Sequence, residues 1–263
     1  MEMYLYGLMA LTFIIHTTDT LSYSVRLSSV KSGQFALSVS LFNIFVLFSR
    51  TANMLQGPLI GVLIGTSVTT GIDPINDIRK VVFASTGGTL AGIVLTPTFL
   101  RIFLYAVARL ESTGSVPLLI IQALSVNNIK LIAKNGVLPS KQTFQNIRCR
   151  DIPKRLLLFN TLLTAVYTVG VLSAFYSATL VAPEYQLAAS SSSGMINGVA
   201  TILLTLVVDP RSAIITDQAF RGDRPYGDVK TLVVLLMGTK LLGTLMGQVI
   251  LIPAANLISC FYR

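Results

Sequence analysis

Acidic residues, histidine and cysteine are all scarce in this chain, and each scarcity removes a class of chemistry. Of 263 residues, 11 are aspartate or glutamate, one is histidine and two are cysteine. A single histidine rules out the His-Glu-x-x-His helix of zinc proteases. No Gly-Lys dipeptide occurs, so there is no Walker-type phosphate loop and no ATP hydrolysis by that motif. Cys149 and Cys260 fall on opposite sides of the membrane layout derived below, so they cannot pair within one chain and no disulfide framework is implied. An intramembrane enzyme acting on a lipid phosphate needs a convergent acid, base and nucleophile or metal, and the few acids make that the weakest reading. His16 and Asp19 would need further ligands such as Asp209 or Asp217 to hold an ion, so neither metal nor cofactor is expected.

What the chain does have is apolar length. With 52% hydrophobic residues, 12% charged residues and a mean hydropathy of +0.71, it cannot be wrapped as a soluble domain. The expected fold is all-α: one polytopic transmembrane domain over 1–263, a bundle of about six spans at 3–24, 35–56, 81–103, 156–180, 188–208 and 231–259. The first span is read as retained, because Glu2 and no basic residue precedes it and no small-residue cleavage site follows. The long connection, 109–155, places Leu118, Ile121, Ser125, Ile129 and Ile132 at helical spacing, which predicts a cytoplasmic amphipathic helix at the interface. Lys141, Arg148, Arg150, Lys154 and Arg155 follow it and suit anionic membrane lipids.

Basic residues set the expected orientation. The first, third and fifth connections carry fourteen lysines and arginines, against Arg79, Lys80 and Arg263 on the other side. Both termini are therefore expected outside the cytoplasm. The net charge of +9 is a topology signal and gives no reason to expect a nucleic-acid partner.

Thr12, His16, Asp19, Tyr23 and Arg26 are spaced four, three, four and three residues apart, which puts them on one face of the first span. Ionisable groups at membrane depth are costly and usually face a cavity or a partner. Arg50 lies fifteen residues beyond Phe35, roughly 22 Å along its helix, and Lys240 roughly 15 Å into the last span. Two readings stay open: Lys240 paired with Asp19 and Arg50 capping backbone carbonyls near Pro58, or a cationic cavity for an anionic group, where arginine's fork suits phosphate. Gly57-Pro58 predicts a kinked, broken or re-entrant second span. Arg50, Asn53 and Gln56 share one face before it and either line the cavity or bond neighbouring helices. Between His16 and Asp19, a proton-linked role competes with a structural hydrogen-bonded pair.

Glycines four apart recur at Gly57/Gly61/Gly65, Gly88/Gly92, Gly194/Gly198 and Gly243/Gly247, which predicts close helix packing in a compact bundle or a tight oligomer. Leu41-Phe42-Asn43 and Leu158-Phe159-Asn160, with Ser85–Gly88 and Ser191–Gly194, suggest a parallel duplication of a helical hairpin.

The stretches His16-Thr17-Thr18-Asp19-Thr20-Leu21-Ser22-Tyr23-Ser24-Val25-Arg26, Ser40-Leu41-Phe42-Asn43 and Ser49-Arg50-Thr51-Ala52-Asn53-Met54 resemble the Amj family of bacterial lipid II flippases. Thr86–Gly92, Ala182-Pro183-Glu184-Tyr185 and Val208-Asp209-Pro210 extend the similarity over nearly the whole chain. The resemblance implies a cell-membrane transporter, not an enzyme, that moves the undecaprenyl-pyrophosphate-linked disaccharide pentapeptide to the outer leaflet, as an alternate to MurJ in peptidoglycan synthesis. Onto that expectation our own residue reading places Arg50, Lys240, Asn53, Gln56 and Arg26 as the substrate-binding set and His16 and Asp19 as a proton-linked gate. The alternative is an ion- or proton-coupled transporter of a small anionic solute or of another polyprenyl-phosphate lipid. Six helices are few for so large a headgroup, which makes a homodimer with a shared cavity one expected arrangement.

Overall fold

The computed structural model describes residues 2–114 and 152–262. All six predicted segments are helical and no described residue is in a strand. The elements are α1 (Glu2–Leu21), a 3-10 turn (Ser22–Ser24), α2 (Val25–Ser32), α3 (Phe35–Thr70), α4 (Ile75–Thr113), α5 (Lys154–Ser177), α6 (Gln186–Leu203), a π turn (Leu204–Val208), α7 (Asp209–Phe220) and α8 (Tyr226–Cys260). The predicted amphipathic helix and Cys149 lie outside the described residues.

Among the described residues, five helical stretches are long and apolar enough to cross a membrane: Phe35–Thr70, Ile75–Leu110, Lys154–Leu180, Pro183–Phe220 and Tyr226–Cys260. The first span falls short of that measure because its polar stripe, with Thr17, Thr18 and Thr20 beside it, dilutes twenty residues of otherwise apolar helix. The molecule is an all-α membrane bundle in which α1 is tied to its neighbours by polar side chains as well as by packing.

The second span is neither broken nor re-entrant at Pro58: α3 runs through it as one helix of 36 residues. Proline costs one backbone hydrogen bond. Here it is exposed, and Ile60, Leu63 and Ile64 just beyond it are locked into the main apolar cluster. Glycine at 57 relieves the clash that proline imposes on the residue before it. At 1.5 Å per residue α3 is roughly 54 Å long, well beyond the ~30 Å hydrocarbon core. It stops at Gly71, whose φ of 69° is open to glycine and whose N–H bonds back to the Ser67 carbonyl at 2.9 Å. The Asp73 carboxylate then accepts the Ile75 N–H at 3.0 Å and starts α4.

The packing falls into two halves with one plan. In the first, α1 packs along both α3 and α4, while α3 and α4 barely touch. In the second, α5 packs along both α6 and α8, while α6 and α8 barely touch. The third helix of each half carries the same five-residue pattern, Gly88-Thr89-Leu90-Ala91-Gly92 in α4 and Gly243-Thr244-Leu245-Met246-Gly247 in α8. Each pattern presses on the first helix of its own half: Gly88 and Gly92 on Phe13, Thr17 and Thr20, Gly243 and Gly247 on Thr161, Thr164, Thr168 and Val169. The start of α1 shares the core with the end of α5, and the start of α4 with the end of α8, so the second half runs opposite to the first and the repeat is of the inverted kind used by transporters. The parallel hairpin duplication read from Leu-Phe-Asn is replaced by this, since α5 and α6 pack closely and α3 and α4 do not.

The glycines separate accordingly. A methyl at Gly243 would lie 2.7 Å from the Thr161 carbonyl oxygen, and one at Gly88 would meet the Phe13 backbone. Nothing lies within 4 Å of a methyl at Gly57, Gly194 or Gly198. Gly88→Ala and Gly243→Ala are therefore expected to destabilise the bundle by about 1–3 kcal/mol, while Gly194→Ala and Gly198→Ala, which meet open space, do not destabilise it. Thermal unfolding in detergent reads the difference, and equal melting temperatures for all four variants would overturn the packing assignment.

The two ends of the bundle differ. Leu5 and Leu8, Ile60 to Ile64, Ile78 to Val82, Val169 to Ala178 and Leu251 to Ala255 form one continuous core at the end that holds both termini. At the other end the apolar residues divide into three smaller clusters. A polar space lies among the helices on that side.

Candidate functional site

Every residue of the polar stripe on α1 and α2 meets a group from another part of the chain. Gln56 of α3 donates to the Thr12 hydroxyl at 2.8 Å. The His16 ring leans on Tyr167 of α5, centroids 6.4 Å apart. Asp19 pairs with Lys240 of α8 at 3.8 Å. The Tyr23 hydroxyl donates to Asn160 of α5 at 3.1 Å, and Arg26 pairs with Asp209 of α7 at 3.1 Å. The stripe keeps its direction through the 3-10 turn, where Ser22 and Ser24 bond back to the carbonyls of Asp19 and Leu21. Such local bonds let serine tighten and bend a helix.

The lower part of this ladder lines a cavity of about 130 Å³. Asp19, Tyr23 and Arg26 form one wall, Ser49 and Arg50 of α3 a second, and Asn160, Tyr167, Asp209 and Lys240 the rest. The cavity thus holds three cations and two carboxylates. Lys240 is 5% exposed and sits 5.7 Å from the centre of the Tyr23 ring. Arg26 sits 5.5 Å from the same ring. An aromatic face between two cations offsets part of their repulsion. Asn160 is fully buried and fixes Tyr23 while donating to the Leu236 carbonyl at 2.9 Å and the Thr239 hydroxyl at 2.8 Å.

Arg50 differs from the other two cations. It is exposed and lines the cavity, with the exposed apolar residues Leu47, Phe48 and Met54 near it on the same helix. It makes no ion pair with any described residue. Across from it, Leu204, Thr205 and Val208 of the π turn complete the lining. That turn precedes Pro210, which has no N–H to continue the α register, and π turns inside helices are frequent at functional sites. Among the described residues α3 and α6 flank the cavity without packing closely on each other.

The structure brings together Asp19, Arg26, Arg50 and Lys240, four of the residues singled out from sequence. It does not bring Gln56 or Asn53 to the cavity wall. Gln56 is 7% exposed and spent on Thr12, and Asn53 is half-buried above the lining. His16 is buried one turn further in, its Nδ1 without a hydrogen-bond partner among the described residues. Asp209, Asn160 and Tyr167 had no such reading. Asp209 was named from sequence only as one possible further metal ligand and within Val208-Asp209-Pro210, and Asn160 only within the repeated Leu-Phe-Asn. Chemically the cavity suits an anion with several oxygens: arginines give planar two-bond donors, the lysine a point charge, and tyrosine and asparagine orient them.

A protein of Bacillus subtilis (strain 168) named lipid II flippase Amj is 38% identical over 248 residues, which cover 94% of this chain and 92% of that protein. No solved structure matches. The family model described as Amj, alternate to MurJ, matches residues 11–262, and the chain belongs to that family.

Proposed function

We propose that this protein moves a polyprenyl-pyrophosphate-linked peptidoglycan precursor, lipid II, between the leaflets of the bacterial cell membrane. The observation that carries the reading is the cavity holding Arg26, Arg50 and Lys240 inside an apolar helix bundle, flanked by α3 and α6, which do not pack closely on each other. A pyrophosphate has the charge and oxygens to bind there, and a lateral opening between those helices would let the isoprenoid tail stay in lipid. The distribution of basic residues supports an orientation with both termini outside the cytoplasm. The cavity then faces the inner leaflet, where the precursor is made, and the continuous core closes the outer side. The basic connection would rest on anionic lipids, and a second copy would add wall to that side.

At 3.8 Å the Lys240–Asp19 pair is looser than a direct hydrogen bond. An incoming pyrophosphate competes with Asp19 for Lys240, and protonation of Asp19 releases the lysine to it. His16 lies beside that pair along the stripe and can exchange the proton. The test is reconstitution into liposomes with labelled lipid II. Leaflet exchange above that of an unrelated membrane protein is expected, and Asp19→Asn is expected to remove any dependence on a proton gradient. No exchange under any gradient overturns the proposal, and an unchanged gradient dependence removes Asp19 from the gate.

One observation favours the smaller substrate of the alternative reading. The cavity, about 130 Å³, is close in size to the roughly 150 Å³ that accepts benzene, so it grips a diphosphate and leaves the sugars and peptide outside. Uptake of inorganic pyrophosphate into the same liposomes, without exchange of lipid II, would establish a small-anion transporter instead.

A further inference from the structure

A second recess, about 190 Å³, lies beside the charged cavity between α2, α3 and α7. Its surface is mainly apolar, from Val25, Phe35, Val39, Phe42 and Ala213, with Ser29, Asn43 and Thr216 also on the lining. Arg26, Phe42 and Asp209 belong to both linings. The Arg26–Asp209 ion pair is therefore a partition between a polar chamber and an apolar one. Arg26 is 13% exposed at its side chain and Asp209 46%, so the carboxylate can swing toward water while the guanidinium stays in place.

We infer that this recess holds the first isoprene unit of the polyprenyl chain, and that the diphosphate opens the partition by taking Arg26 from Asp209. The inference rests on the substrate class proposed above. It adds the place of the tail. A diphosphate is bonded directly to its first isoprene carbon, so head and first unit must occupy adjoining sites of opposite polarity. Two cavities that share an arginine provide that adjacency. The volume fits as well: a cavity of about 150 Å³ accepts benzene, so 190 Å³ takes one five-carbon branched unit and leaves the rest of the chain in lipid. Phe42 stands at the junction, on the wall of both spaces.

The experiment uses the full chain in detergent and calorimetric binding of three probes: geranylgeranyl diphosphate, hexadecyl diphosphate and inorganic pyrophosphate. Val39 and Ala213 are exposed, so Val39→Phe and Ala213→Phe can fill the recess without disturbing the core. The wild type is expected to bind geranylgeranyl diphosphate at least tenfold more tightly than pyrophosphate. Both variants should lose that advantage and keep the wild-type affinity for pyrophosphate. Unchanged prenyl binding in both variants overturns the recess alone and leaves the charged cavity standing. Equal binding of the hexadecyl probe, lost in the same variants, overturns the isoprene assignment and makes the recess a site for any chain. If none of the three probes binds the wild type, the pyrophosphate reading of the cavity falls and the recess with it.

Discussion

Arg50→Ala is expected to cut lipid II exchange at least tenfold while leaving the melting temperature of the bundle unchanged. Arg50 is exposed, lines the cavity and makes no ion pair with a described residue, so its removal leaves no buried charge behind. A hydrogen bond to a charged group contributes about 1.5–3 kcal/mol, which is roughly ten- to a hundredfold in affinity. Arg50→Lys keeps the charge and loses the planar fork, so it should fall between the two. Exchange assays in liposomes together with thermal unfolding separate the outcomes. Full exchange by Arg50→Ala at normal protein levels would sink the cationic cavity. A large loss of stability would instead make Arg50 a structural residue.

Lys240 should behave in the opposite way. Lys240→Met is expected to abolish exchange and also to destabilise the protein, because Asp19 is left at membrane depth without its cation. Breaking a fully buried pair costs about 3–5 kcal/mol. Asp19 keeps 23% of its side chain exposed, so a loss of about 2 kcal/mol is the expectation here. The double variant Asp19→Asn/Lys240→Met removes both charges and should regain most of the stability. It should not regain exchange, since the cation that meets the pyrophosphate is gone. Recovery of exchange in the double variant would show that Lys240 serves only to hold Asp19.

Much of this site was legible because its signals are local. Five polar residues at helical spacing must share a face, and an ionisable group in an apolar run must find a cavity or a partner. Asp19, Arg26, Arg50 and Lys240 were found that way. Gln56 was read with them because spacing alone cannot separate a residue that lines a cavity from one that bonds the next helix. Its face points at Thr12. Asp209 and Asn160 were missed as site residues for the converse reason: each gains its role from a partner far away in sequence, Arg26 and Tyr23 respectively. The glycine pattern was equally ambiguous. Four helices carry it, and within the chain α4 and α8 are the ones that press it against a neighbouring backbone.

By itself the sequence determined the membrane class, the positions of the helices and the polar stripe. Hydropathy and periodicity are properties of neighbouring residues, and a bilayer admits few structures that satisfy the backbone. Only the tertiary structure decided that α3 passes unbroken through Pro58, that the halves repeat in inverted order, and that the stripe meets five partners from α3, α5, α7 and α8. Those outcomes depend on which helix faces pack together. That choice is made by side chains distant in sequence, and the spacing within one helix carries no record of it.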